Sequence, residues 1–410
     1  MEQCITALHK TGMLSALRYP SFRWFWLSTA LWAMGRWIEM LALGWLVLDL
    51  TNSPLILGLV MACRGIPMLL LGAVGGLLAD RLDRRRLLIV TQTSLGLLAF
   101  LMAILVTAGW IQVWHATVIT LLAGAVFALS MPARQAFVYD IVGRSTLLNA
   151  TAMNRIALDS TRIVGPALAG GLVVLMGTGG CFYLMGISYM AGVAFIFMIP
   201  GVARSPVDGR SSTWQNFIHG LGYIRSNRTV LLLLSIEIIT DTFAFSYYAM
   251  LPIFARDILG VGATGLGFLM SASGVGALFA LLAVAVLGDF KYKGWLLLGS
   301  SFLFGVILIF FAMSPWYPLS LALLIGAGGA SAVYDATMAT ALQIIVPDEI
   351  RGRVLGAYVL TWGMAPLGSA PAGAVANVMG ANLAVAIGGA IVGVYALAIA
   401  SRASRVRRLG

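Results

Sequence analysis

The sequence predicts an all-α membrane protein: twelve transmembrane helices in two pseudo-symmetric bundles of six. Three observations carry that expectation. The 410-residue chain is 60% hydrophobic and only 10% charged, where a soluble domain carries about a quarter of its residues as charged ones. Twelve apolar runs approach or exceed the roughly 20 residues that a helix needs to cross a bilayer. The cations fall in alternate connections between these runs, as orientation in a membrane requires. Together these exclude a water-soluble enzyme, a disordered chain and a disulfide scaffold.

In order, the runs lie near 22–48, 55–79, 87–109, 114–138, 150–176 and 180–200, then 229–255, 262–287, 294–313, 317–344, 353–378 and 381–401. Strands of a transmembrane barrel would be about 10 residues long and alternate in polarity, and these runs do neither. Residues 1–21 hold His9, Lys10, Arg18 and Pro20, so no cleavable signal is expected there. Cationic connections carry Lys10, Arg18 and Arg23; Arg81, Arg84, Arg85 and Arg86; Arg134 and Arg144; Arg204, Arg210, Arg225 and Arg228; Lys291 and Lys293; Arg351 and Arg353; and Arg402, Arg405, Arg407 and Arg408. The connections near 49–54, 109–113, 177–180, 314–318 and 379–382 hold no Lys or Arg, and only Arg256, beside Asp257, breaks the alternation. Both termini are therefore expected in the cytoplasm. The same distribution accounts for the net charge of +11 without a nucleic-acid partner.

The polar stretch 201–228 divides the chain into residues 1–200, a central cytoplasmic linker, and residues 229–410. The halves resemble each other. Asp80 and Asp289 each close a span before cations at an offset of 209 residues, and Gly58 and Gly267 share that offset. MPARQAFVYD ends the fourth span and ATALQIIVPD the tenth. Two related bundles with a pathway between them are one architecture of secondary transporters.

The passage GGLLADRLDRRR joins the second and third spans. Gly75 and Gly76 permit close helix approach, and Asp80 stands beside Arg81, Arg84 and Arg85 in a short connection. A carboxylate among guanidiniums can form a charge-assisted latch, so these residues are expected to gate and orient rather than bind solute. In the fifth span, STRIVGPALAGG places Gly165 and Pro166 inside an apolar helix, which describes a kinked, closely packed element. Ordinary membrane-helix packing is the competing account of both.

GGLLADRLDRRR resembles the signature of the major facilitator superfamily, usually G-x-x-x-D-R-x-G-R-R, with Asp83 where glycine is usual. That departure is similar to one branch, the efflux proteins related to the bacterial enterobactin exporter. PARQAFVYDIV with LLNATAMN and VPDEIRGRVLGAY, which carries Arg351 and Arg353, fit the same branch. STRIVGPALAGG resembles the superfamily's antiporter motif and implies a gating role for Arg162, Gly165 and Pro166. The resemblance implies a major facilitator fold and proton antiport by alternating access. It also implies export of a drug, siderophore or metabolite across a bacterial inner membrane.

Ionisable residues at bilayer depth are costly and mark a pathway or relay by default. Those in the spans are Arg36 and Glu39, Arg64, Asp159 and Arg162, Glu237 and Asp241, and Asp335. Arg36 and Glu39, three apart, can neutralise each other. Glu237 and Asp241 are one helical turn apart with no cation nearby in sequence. Once desolvated, at least one is expected to hold a proton, unless the fold pairs them with Arg36. They are the leading proton-coupling candidates, followed by Glu39, Asp159 and Asp335. Trp37, Phe243 and Tyr247 lie beside the charges and are candidates, with Arg36, for lining the pathway; lipid contact is the alternative for each.

Cys4, Cys63 and Cys181 are far apart, as are His9, His115 and His219, so neither a disulfide nor a metal site is expected. No phosphate-binding loop or clustered catalytic signature appears, and neither a cofactor nor an enzymatic activity is expected. The expected partners are a small-molecule solute, protons and membrane lipid, with the chain a monomer. A proton-coupled importer and a non-transporting receptor or scaffold are the competing functions.

Overall fold

A computed structural model of the chain describes residues 15–200, 222–287 and 292–407. Cations Lys10, Arg204, Arg210, Lys291 and Arg408, Asp289 of the repeat, and most of the central linker lie outside the described residues. Within them every regular element is helical.

The first six spans are α1 (Pro20–Thr51), α2 (Pro54–Arg81), α3 (Arg84–Thr107), α4 (113–142), α5 (144–176) and α6 (178–197). The second six are α7 (Arg228–Ile258), α8 (Gly262–Leu287), α9 (Lys293–Met313), α10 (Tyr317–Ile345), α11 (348–379) and α12 (Ala381–Arg402). Starts are set locally. Pro20 and Pro54 begin α1 and α2, where a missing N–H costs nothing. Asp83 caps α3 by accepting from the Arg86 amide at 2.8 Å, and Asn227 caps α7 by accepting from Thr229 at 3.1 Å.

The largest departure from the expected layout lies between α4 and α6. Residues 113–197 run as one helical path broken only at Gly143 (φ 66°) and Gly177 (φ 70°). A residue with a side chain is strained at such φ, and glycine is not. The expected connection around Arg134 and Arg144 is therefore a one-residue joint. Arg134 is not a loop cation: it lies inside α4 and is 3% exposed. α11 is interrupted at Trp362–Gly363, and α2 at Cys63–Arg64. α7 contains two π-helical turns, Thr240–Ala244 and Phe254–Ile258.

One large buried cluster draws on both halves, with Leu48, Leu57 and Phe182 from the first and Leu251, Phe254, Leu266 and Phe311 from the second. It fills the end of the bundle that carries the cation-poor connections. At the cation-rich end the core divides. Phe22, Leu88 and Phe137 belong to a cluster of the first half alone, and Val230, Leu298 and Tyr334 to one of the second alone.

The halves meet along two seams. A Cβ on Gly58 of α2 would stand 2.9 Å from the Cα of Gly373 in α11, and one on Gly170 of α5 would stand 3.1 Å from the Cα of Gly267 in α8. Gly58 and Gly267, the repeat-related pair, thus occupy equivalent crossing points. Arg256, the cation on the sparse side, donates to the Leu48 carbonyl at 3.1 Å and pairs with Asp49 at 3.7 Å, fastening α7 to α1. Toward the cation-rich end the two halves keep separate buried clusters. The molecule is closed at one end and parted at the other.

Candidate functional site: a polarised central layer

The parted halves present opposite charge to each other midway along the spans. On the second half, Glu237 sits at the end of the first α-helical stretch of α7 and Asp241 inside the π turn that follows. Glu237 is 1% and Asp241 5% exposed. The Tyr334 hydroxyl of α10 donates to Glu237 Oε2 at 2.7 Å. Tyr358 and Thr361 of α11 stand beside Glu237 and Asp241, and Asp335 lies within electrostatic reach of both. Asp241 Oδ2 is buried with no hydrogen-bond partner. No ion pair to these three carboxylates forms among the described residues. Arg36 does not reach Glu237 or Asp241, so the pairing that would have silenced them is absent.

On the first half, Glu39 pairs with Arg64 at 3.0 Å. The expected neutralisation of Glu39 by Arg36 on the same helix gives way to a bond between helices, because the break in α2 carries Arg64 to that position. Arg36 instead lies over the Phe127 ring of α4, 4.9 Å from its centroid, with Arg64 over the same ring at 5.7 Å. Trp32 stacks on Phe127 at 5.4 Å and 7°. Arg134 lies 4.7 Å from the Trp32 ring and donates to Thr29 Oγ1 at 3.0 Å and Gln92 Oε1 at 2.7 Å. A ladder of guanidinium, ring, ring and guanidinium therefore runs down the α1–α4 contact, its members held by cation–π attraction.

Between the walls, Arg162 of α5 donates to the Tyr248 hydroxyl of α7 at 2.9 Å, and that hydroxyl also hydrogen-bonds Ser273 of α8. Trp37 lies 6.2 Å from the Tyr248 ring. Gly165 lets Trp37 approach, since a Cβ there would stand 2.7 Å from the Trp37 Cβ, and Pro166 packs its carbonyl on Gly267. The motif of the fifth span thus lies on the seam between the halves.

Three expectations change. Asp159 pairs with Arg155 at 2.9 Å rather than with Arg162, because i,i+4 spacing aligns the two on an exposed helix face. Tyr247 turns into the second half, its ring tilted against that of Tyr248, and is 2% exposed, so Tyr248 is the tyrosine at the seam. Phe243 is half-buried and its carbonyl packs against Gly388 of α12, away from the seam.

At the cation-rich end, Arg84 holds Asp140 of α4 with both oxygens, at 2.7 and 2.8 Å. Asp80 is only a distant second partner of Arg84, at 3.9 Å, with its side chain 51% exposed. Arg85 donates to the carbonyls of Ile196 and Phe197 at the end of α6. Arg81 closes α2. Gly76 faces open space while Gly75 packs on the Ala128 carbonyl. Arg351 pairs with Asp348 and donates to the Val346 carbonyl at 3.2 Å; Arg353 is half-buried on α11. The sequence reading missed Asp140, Phe127, Tyr248, Tyr334 and Tyr358 as site residues. Asp140 alone had a visible signal, as the acid ending PARQAFVYD.

Comparison with known proteins agrees with the fold. Residues 11–409 match the transmembrane secretion effector family. The chain is 27% identical over 365 residues to the staphyloferrin A transporter of Staphylococcus aureus, covering 87% of this chain and 90% of that protein. It is 25% identical over 362 residues to the enterobactin exporter EntS of Escherichia coli O1:K1, covering 84% and 82%. Its fold matches a crystal structure of a mutant nucleoside transporter NupG with a TM-score of 0.76 at 15% identity, covering 93% of this chain and 99% of that one. With that fold, a seam of paired glycines and a charged layer inside the membrane, the chain belongs to the transmembrane secretion effector family of major facilitator transporters.

Proposed function

We propose that this transporter exports a small organic solute from the cytoplasm by proton antiport, and that Glu237 or Asp241 carries the proton. The observation that carries the reading is the pair of buried carboxylates Glu237 and Asp241 with half-buried Asp335 beside them, none in an ion pair among the described residues. Burial and like charge oppose ionising all three together, so a proton shared among them is the low-cost state. Tyr334, Tyr358 and Thr361 give that proton hydrogen-bonding neighbours. Exchange with water in one facing state and enclosure in the other then couples the proton gradient to rocking of the halves.

The moving bodies are residues 1–200 and 229–410, with 201–228 as the cytoplasmic linker. The cation-rich end faces the cytoplasm of a bacterial cell, with both termini inside, and the chain works as a monomer in the lipid of the inner membrane. The parted state described above is then open to the cytoplasm. Asp80 and Arg81 form a latch that engages when that end closes, with Arg162, Gly165 and Pro166 forming the sliding seam. Glu39 and Asp159, each already paired, are secondary candidates for the proton. The similarity to a staphyloferrin A transporter and an enterobactin exporter supports a metabolite of siderophore type as solute.

The test uses purified protein in liposomes, with a panel of siderophores and dyes, and with or without an imposed proton gradient. Wild type should concentrate at least one solute only when the gradient is imposed. Glu237→Gln and Asp241→Asn, made singly, should differ, one abolishing proton-driven accumulation while still equilibrating solute. If both variants keep wild-type proton dependence, neither residue is the carrier.

A further inference from the structure

The geometry points to an anion site on the first-half wall of the central layer, centred on Arg36, that takes the carboxylate of an organic acid. The inference rests on the transport reading and names the chemical class of its solute. Four arginines serve this wall: Arg36, Arg64, Arg134 and Arg162. Their acids are already engaged, Glu39 by Arg64 and Asp159 by Arg155. Arg162 spends a donor on Tyr248 and Arg134 two on Thr29 and Gln92. Among the described residues Arg36 alone of the four makes no hydrogen bond or ion pair; it lies over the Phe127 ring, with Glu39 within electrostatic reach.

Arg36 is also exposed, although its neighbours Gly35, Ile38 and Glu39 are buried. An exposed guanidinium in mid-span, ringed by α2, α4 and α5, looks into the cleft between the halves. The Phe127 ring centroid lies 4.9 Å from its Cζ, and its N–H edge makes no hydrogen bond among the described residues. That edge matches the two oxygens of a carboxylate. Arg64 on the same ring adds a second positive charge against the single charge of Glu39.

The opposite wall decides the sign of the ligand. Glu237 and Asp241 are buried on that wall, and half-buried Asp335 lies within electrostatic reach of Arg162 and Arg155, so the unpaired charge a solute meets first is cationic. Trp37 and Tyr248 stand beside it, two rings at 6.2 Å, and offer a flat apolar flank to the body of the molecule. The ladder of Trp32 and Arg134 behind Phe127 holds the platform in place. An organic carboxylate with a planar apolar part fits these surfaces; an organic cation meets Arg36 and is repelled.

Two xanthene dyes of one ring system separate the cases. Fluorescein carries a free carboxylate and negative charge, and an esterified rhodamine carries positive charge. Titration of detergent-purified protein, followed by dye anisotropy, should give saturable fluorescein binding roughly ten-fold or more tighter than rhodamine. Arg36→Gln should weaken fluorescein binding about ten-fold and leave rhodamine unchanged. Arg36→Lys should restore part of the loss, and Phe127→Leu, which keeps the charge, should cost less. Size-exclusion profiles of each variant report folding. Equal or tighter rhodamine binding, absence of saturable fluorescein binding, or wild-type affinity in folded Arg36→Gln overturns the site. Because binding needs no gradient, fluorescein binding lost in Arg36→Gln with no movement of any solute in liposomes would defeat the transport reading and leave the anion site standing.

Discussion

Asp80 and Asp140 compete for one arginine, and their burial separates their roles. The Asp140 carboxylate is 7% exposed and held by both oxygens on Arg84, itself 10% exposed. Removing one member of such a pair leaves a buried charge without a partner, which costs about 3–5 kcal/mol. Asp140→Asn should therefore lower the thermal midpoint of the solubilised protein clearly. Asp80 is half exposed and 3.9 Å from Arg84, so Asp80→Asn should change stability by no more than about 0.5 kcal/mol. As a latch residue it should nevertheless slow turnover at normal expression. A thermal-shift assay beside a transport assay reads both. Equal destabilisation by the two variants would mean that Asp80, too, is structural; normal turnover in Asp80→Asn would leave it an orientation signal only. At this scale the sequence was only partly legible. Residue identity placed Glu237, Asp241 and Asp335 inside the membrane. That Glu237 and Asp241 form no ion pair while Asp335 comes within electrostatic reach of Arg162 depends on helix rotation, as does the pairing of Glu39 with Arg64, and none of these is encoded in local spacing.

The helices themselves were largely legible, because the length and apolarity of a span are set by the bilayer. Every expected run corresponds to a described helix. What local pattern hid was the joint. A charge at Arg134 reads as a loop until a Trp32 ring and the acceptors Thr29 and Gln92 are brought beneath it. The π turn around Asp241 was equally hidden, since an extra residue in one turn leaves no mark on composition. The seams are where element geometry yields a prediction. Gly58→Leu would drive its side chain into the backbone of Ser369 and Gly373, and Gly267→Leu into that of Pro166 and Gly170. Each should pry the closed end apart and favour the other facing state. Labelling of a cysteine introduced at Thr51 should become faster in both variants. An unchanged labelling rate would mean that the seams do not hold the closed state. Overpacking here should cost about 1–3 kcal/mol.

Taken as one molecule, the protein has a shared core at one end and two separate cores at the other. That distribution suits the proposed rocking: one end can part while each half keeps its own apolar interior. Ser53 Oγ of α2's cap and Asn377 Oδ1 of α11 stand 3.4 Å apart across the closed end. In a background with Cys4, Cys63 and Cys181 replaced by serine, Ser53→Cys with Asn377→Cys should form a disulfide under mild oxidation. The bridge should stop transport, and reduction should restore it. Full activity of the bridged protein would show that this end never opens. The repeat that pointed to two halves was legible from Gly58 and Gly267 at equal offset; the polarity between their walls was not, since it needs both halves folded.

The glycine joints at 143 and 177 also bear on how the protein is made. Three spans follow one another with a single residue at each joint. The turn from α5 to α6, Gly177-Thr178-Gly179-Gly180, has no charge and no bulky side chain. Passing it through the hydrocarbon during insertion carries little polar surface out of water. A chain emerging in this order can deliver α4, α5 and α6 as one pleated unit, with their mutual contacts formed early and almost no loop entropy spent. Lengthening either joint would trade that economy for a slower, error-prone assembly of the first half.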